Sequence, residues 1–71
     1  MSKTDQTELL ADRLLRIVKD DGHDLRWLSR SSGIPYSTLR SQLIYQPHRL
    51  TAASVFAIAG ALGRDVSEVV Q

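Results

Sequence analysis

Cysteine is absent from this 71-residue sequence, and it has only four aromatic residues. Without cysteine, neither a disulfide framework nor a thiolate zinc site can stabilise the small core that so short a chain buries. The longest apolar run, residues 52–62, is too short to span a bilayer, and the opening MSKTDQTE is too polar for a signal peptide. These absences predict one soluble, cytoplasmic domain covering residues 1–71, with no membrane partner.

The net charge is only +1, but the charged residues are unevenly distributed along the sequence. Residues 1–21 hold four basic and five acidic side chains, and residues 51–71 hold one basic and two acidic side chains, so each sums to −1. Residues 22–50 sum to +3, because a single acid opposes Arg26, Arg30, Arg40 and Arg49. Arginine makes planar, bidentate contacts with phosphates and guanine edges. Charge alone leaves an ordinary solvated surface equally open.

Apolar spacing predicts helices on both sides of the basic segment. Asp5 and Glu8 have the spacing of a capping box, and the helix that they begin carries core-spaced Leu10, Leu14, Ile17 and Val18. Gly22 is expected to end this helix. Thr51 is expected to cap a later helix that Gly63 ends, with a buried face of Val55, Phe56, Ile58, Ala59 and Leu62. Asp65 and Glu68 repeat the capping-box spacing before a last short helix with Val66, Val69 and Val70.

Residues 24–45 read as two short helices joined by a tight turn. Asp24 is placed to cap the first helix, which ends at Ser31-Ser32-Gly33. Gly33 is expected to have a positive φ, which lets the second helix leave at a steep angle, and Pro35 fixes the start of that helix. Leu39 and Leu43, four residues apart, should face the core. This is the pattern of a helix-turn-helix.

The order L-S-x-x-S-G-I-x-x-S-T-L, followed by T-x-x-x-V-F-A-I-A-x-A-L-G and D-V-S-E-V-V, resembles the lambda-repressor/Cro-type helix-turn-helix domains of phage and bacterial regulators. The resemblance covers nearly the whole chain. It implies an all-α, compact bundle of five short helices that binds duplex DNA with the helix around 35–44 in the major groove. The implied function is sequence-specific transcriptional regulation, as a Cro-like repressor in the bacterial cytoplasm or a phage-infected host.

Four positions depart from the family pattern. Family members usually have a small residue such as alanine in place of Ser29, and a capping serine in place of Pro35. They usually have a branched apolar residue in place of Gln42. Leu25 stands where a polar, phosphate-contacting residue is frequent. The departures at Pro35 and Leu25 remove a side-chain cap and a side-chain phosphate contact respectively.

The resemblance also implies which residues contact DNA. The residues that match the base-reading positions of the family are Tyr36, Ser37, Arg40 and Ser41. Arg40 suits a guanine, and Tyr36 suits a thymine methyl or a phosphate. The loop YQPHRL follows this helix and matches a family loop that rests on the DNA backbone, so Arg49 and His48 are expected to contact phosphates or the minor groove. Independently of the resemblance, Arg26 beside the start of the preceding helix is expected to contact a phosphate, although Asp24 opposes this contact electrostatically. Without the resemblance, a solvated polar face explains the same pattern.

Other functions receive less support. The sequence has no nucleophilic-serine elbow, no Gly-Lys-Ser phosphate loop and no histidine with an acidic or thiol partner at ligand spacing, so we expect neither an enzyme nor a cofactor or small-molecule site. The acidic turn at 20–24 lacks the ligand pattern of a calcium loop and reads as a capped, hydrated turn. Trp27 is expected to lie partly over the first or last helix, with a partner contact as the alternative.

Two alternative functions remain on the same fold. The first is a protein-interaction module, such as an antitoxin or adaptor, and the second is an architectural or excision factor that bends DNA. The sequence stops directly after the fifth predicted helix, which predicts a monomer or weakly associating homodimer in solution. Two copies are expected to pair on DNA half-sites about 34 Å apart.

Overall fold

The computed structural model describes residues 6–70, which form five α-helices around one apolar core. The elements follow one another as α1 (Gln6–Asp20), α2 (Leu25–Ser32), α3 (Tyr36–Arg40), a π-helical turn (Ser41–Tyr45), a 3-10 turn (Pro47–Arg49), α4 (Ala52–Leu62) and α5 (Val66–Val70). No strand occurs between residues 6 and 70, so the predicted all-α bundle of five helices is confirmed. None of these helices has the length and apolar content needed to cross a membrane.

The core receives side chains from all five helices and from the segment between α3 and α4. Its buried members are Ala11, Leu14, Val18, Leu28, Leu39, Leu43, Leu50, Val55, Ile58, Ala59 and Val69. Full burial of a leucine or isoleucine side chain contributes about 1.5–3 kcal/mol. The predicted inward direction of Leu39 and Leu43 is confirmed, and α3 packs against α2 while the π-helical turn packs against α1.

Phe56 corrects the predicted buried face of α4. Its side chain is 62% exposed, whereas Val55, Ile58 and Ala59 are buried as predicted and Leu62 is partly buried. Successive residues of an α-helix are 100° apart around the axis. The stripe at positions 55, 58, 59 and 62 faces the core, and Phe56 lies one residue beside that stripe. The prediction was wrong because α4 is apolar on nearly all sides, so its sequence does not specify which stripe faces the core.

Side-chain caps fix where α2 and α4 begin. The Asp24 carboxylate accepts the Trp27 N–H at 2.9 Å, and the Thr51 hydroxyl accepts the Ser54 N–H at 3.1 Å. Such caps are worth about 1 kcal/mol each. Both predicted caps are confirmed, whereas the predicted capping box of α1 includes Asp5, which lies outside the described residues. At α5, the Asp65 N–H donates to a Glu68 carboxylate oxygen at 3.2 Å.

Candidate nucleic-acid interface

Three hydrogen bonds hold the turn between α2 and α3. Gly33 has a φ of 81°, and its N–H donates to the Ser29 carbonyl oxygen at 3.0 Å. The Ser29 hydroxyl donates to the Ile34 carbonyl oxygen at 2.7 Å, and the Ile34 N–H donates to the Ser32 hydroxyl at 3.2 Å. Since few residues other than glycine adopt this φ without strain, the glycine and the two serines together set the direction in which α3 leaves.

α3 begins directly after Pro35, which makes no side-chain capping hydrogen bond. The helix is regular over only five residues, Tyr36–Arg40, and then widens into the π-helical turn Ser41–Tyr45. Within this turn the Gln46 N–H donates to the Ser41 carbonyl oxygen at 2.7 Å, a bond that spans five residues. The chain therefore stays helical through Ile44, as predicted, but it changes from α-helical to π-helical geometry after Arg40. π-helical turns are rare and frequently occur at functional sites.

Arg26, Tyr36, Arg40 and Tyr45 form one group on this surface, which we call the arginine–tyrosine cluster. The guanidinium carbon of Arg26 lies 5.3 Å from the centre of the Tyr36 ring. The guanidinium carbon of Arg40 lies 5.7 Å from the same ring centre and 5.1 Å from the centre of the Tyr45 ring. A terminal nitrogen of Arg40 also donates a hydrogen bond to the Tyr45 hydroxyl. Exposed cation–π contacts contribute about 0.5–1 kcal/mol each, so the rings restrain both arginines.

Among residues 6–70, no carboxylate forms an ion pair with either arginine of the arginine–tyrosine cluster. Among the described residues the one ion pair joins Arg64 to Asp21 at 2.9 Å, outside the cluster. Two guanidinium groups beside one Tyr36 ring repel each other, and the aromatic contacts offset that repulsion only partly. An anion bound at this surface would relieve it. The cluster is accessible to such a ligand, because the Tyr36 side chain is 36% exposed and that of Tyr45 is 63% exposed.

The structure brings together three of the residues predicted to contact DNA, namely Arg26, Tyr36 and Arg40. Ser37 is exposed and Ser41 half-buried on the same two turns of helix. His48 and Arg49 are exposed on the 3-10 turn that follows. Within residues 6–70, no side-chain hydrogen bond, ion pair or cation–ring contact joins them to the cluster.

Tyr45 belongs to the cluster, although the sequence pattern did not place it there. In a continuous α-helix, a residue five positions after Arg40 lies 140° away around the axis, on a different face. The π-helical turn changes that relation. No residue type at positions 41–45 indicates a π-helical turn. The only hint in the sequence is Tyr45 itself, an aromatic residue two positions before Pro47.

The acidic turn between α1 and α2 has structural partners for its side chains. Asp24 caps α2, and Asp21 pairs with Arg64. The His23 ring stacks on Trp27 with ring centres 3.6 Å apart and an angle of 6° between the planes. Trp27 is partly buried against the core. In the part of the chain that the structure describes, no three histidine, aspartate or glutamate side chains lie close enough together to hold a metal ion.

Comparison of the chain with protein-family models, with curated proteins and with solved structures finds no match.

Proposed function

We propose that this chain binds duplex DNA through the arginine–tyrosine cluster and regulates transcription, as a Cro-like repressor in the cytoplasm of a bacterium or a phage-infected host. The observation that supports this most is the position of the uncompensated charge. The guanidinium groups of Arg26 and Arg40 both lie beside the ring of Tyr36, at the exposed surface of the helix-turn-helix. Phosphate contacts from such arginines supply most of the affinity for DNA, and a helix fits the major groove.

The residues divide into two roles under this proposal. Tyr36, Ser37, Arg40 and Ser41 meet base edges, with Arg40 donating to a guanine. Arg26, His48 and Arg49 contact the phosphate backbone or the minor groove, and thereby fix the position of α3. The chain acts as a monomer or a weakly associating homodimer, and two copies occupy half-sites about 34 Å apart on DNA.

Salt-dependent binding tests this proposal. A fluorescein-labelled random duplex is titrated with the chain at several salt concentrations, and the slope of log K against log salt is measured by anisotropy. We expect a clearly negative slope, which Arg26→Ala makes shallower by about one unit. Arg64→Ala is the matched control, since it removes the same charge from a residue outside the helix-turn-helix and paired with Asp21. Absence of salt-dependent binding, or an equal change in both variants, would contradict the proposal.

A protein-interaction module remains the second candidate, and exposed apolar side chains favour it. Phe56 is 62% exposed and Leu9 is 55% exposed. Phe56 lines an open cavity of about 290 Å³ together with Leu10, Leu50, Thr51, Ala52, Val55 and Val66. Exposed aromatic side chains beside an apolar cavity are frequent at protein interfaces.

Phe56→Ser should leave duplex binding unchanged under the DNA proposal. A measured bend in the bound duplex would instead favour an architectural factor.

A further inference from the structure

Tyr45 restrains the side chain to which we assign base recognition. Its hydroxyl accepts a hydrogen bond from a terminal nitrogen of Arg40, and its ring centre lies 5.1 Å from the guanidinium carbon. Tyr45 itself is 63% exposed, so the core does not account for its position. Its hydrogen bond and its cation–ring contact are both with Arg40, whereas Tyr36 has cation–ring contacts with both arginines.

The π-helical turn makes this contact geometrically accessible. In a regular α-helix the hydrogen bonds span four residues, and residues five apart point to different sides. In the turn Ser41–Tyr45, the Gln46 N–H instead bonds the Ser41 carbonyl oxygen, five residues earlier. The wider turn brings residues five apart closer to one side of the helix. Tyr45 thereby lies beside Arg40 rather than away from it.

The contact leaves Arg40 able to bind a base. A guanidinium group has five N–H donors, and Tyr45 uses a donor on one terminal nitrogen. In the major groove, guanine presents two acceptors, O6 and N7, and no donor. A free arginine side chain loses much rotamer freedom when it binds such a base. An arginine that is already held by a hydrogen bond and a ring loses less, which favours the bound state.

We infer that Tyr45 is a positioning residue for base recognition, which holds the Arg40 guanidinium so that its remaining donors meet the O6 and N7 atoms of a guanine. This inference rests on the proposed DNA-binding function and assigns its base specificity to a pair of side chains rather than to Arg40 alone. Tyr45 contributes to discrimination between duplexes, while the phosphate contacts contribute to affinity for all of them.

Removal of one hydroxyl group tests the inference. A preferred duplex is first selected from a random pool with the parent chain, and a scrambled duplex of the same composition serves as reference. Tyr45→Phe keeps the ring and removes the acceptor. We expect it to weaken binding to the selected duplex about three- to tenfold, and binding to the scrambled duplex less than about twofold. Ser67→Ala is the control, because it removes an exposed hydroxyl in α5, outside the helix-turn-helix.

A modified base distinguishes positioning from a general structural effect. Each guanine of the selected duplex is replaced in turn by 7-deazaguanine, which lacks the N7 acceptor. The replacement at the recognised guanine should weaken binding of the parent chain and of Ser67→Ala. It should weaken binding of Tyr45→Phe much less, because the two changes disrupt the same contact. Additive losses from the two changes would overturn the inference.

The remaining outcomes separate this inference from the proposed function. Salt-dependent binding by the parent chain, together with unchanged discrimination in Tyr45→Phe, would overturn the role of Tyr45 and leave the DNA proposal standing. Equal losses on both duplexes, or a lowered melting temperature in Tyr45→Phe, would make Tyr45 a backbone contact or a structural residue and also overturn the inference. If the parent chain binds no duplex, the DNA proposal fails first, and the role of Tyr45 fails with it.

Discussion

Gly33→Ala is expected to destabilise the domain through backbone strain alone. Gly33 has a φ of 81°, and a Cβ added at this position meets no atom within 4 Å. A steric clash therefore does not contribute. The left-handed conformation costs an alanine about 1–2 kcal/mol, and the reduced freedom of the unfolded chain returns about 0.4–1 kcal/mol. From the midpoints of these two ranges, the net loss should be about 0.8 kcal/mol. Gly33→Val should lose at least ~1 kcal/mol because a β-branched residue tolerates positive φ less well.

Gly60→Ala makes the same chemical change with the opposite expected result. Gly60 lies in α4, has no positive φ, and also has no atom within 4 Å of an added Cβ. Alanine is favoured over glycine within a helix by about 0.5–1 kcal/mol. The two variants therefore differ in the backbone conformation of the substituted residue and not in available space.

Thermal unfolding followed by circular dichroism measures both effects. For a domain of this size, 1 kcal/mol corresponds to about 4–8 °C in melting temperature. Gly33→Ala should melt several degrees below the parent chain and Gly60→Ala several degrees above it. A Gly33→Ala variant as stable as the parent would refute the tight turn between α2 and α3, and with it the placement of α3.

Three further substitutions test the interface and the turn. Arg40→Ala should lose about 1–3 kcal/mol on the preferred duplex and much less on random duplex, because it removes a base contact; equal losses would make Arg40 a backbone contact. Arg49→Ala should weaken binding to both duplexes similarly and reduce the salt slope by about one unit, and an unchanged slope would exclude a phosphate contact. Ser29→Ala removes the 2.7 Å hydrogen bond to the Ile34 carbonyl oxygen and should cost about 1 kcal/mol in urea unfolding. Full retention of stability would show that this bond does not hold the turn.

Local chemistry made the helix boundaries predictable. Asp24 and Thr51 accept the hydrogen bonds expected of N-caps, and Gly22, Gly33 and Gly63 all have positive φ at the ends of helices. Each of these features depends on one residue and its immediate neighbours, so the sequence contains the information that determines it. The all-α fold follows from these boundaries together with the apolar spacing of α1 and α4.

Features that depend on tertiary packing were not predictable in the same way. The exposure of Phe56 depends on the angle at which α4 meets its neighbours, which the apolar run does not specify. The position of Tyr45 depends on a change of helical type after Arg40. Leu43 remains buried on the far side of that turn. A spacing rule based on a regular α-helix therefore places Leu43 correctly, but it turns Tyr45 away from Arg40.

Gln42 provides a last test, because its side chain lies in an unfavourable environment. It lies in the π-helical turn, and its side-chain Oε1 is buried without a hydrogen-bond partner among the described residues. A buried, unsatisfied acceptor costs about 1–3 kcal/mol. Gln42→Leu has a similar volume and no polar atom. We expect it to raise the free energy of unfolding by about 1–2 kcal/mol, seen as a higher urea midpoint with an unchanged m-value. Duplex binding should not change, because Gln42 is not part of the arginine–tyrosine cluster.

Gln42→Glu is the matched control and should lower the midpoint, since it places a charge where the oxygen is buried. A lower midpoint for Gln42→Leu would mean that the amide stabilises the π-helical turn, and the turn would then require this polar side chain.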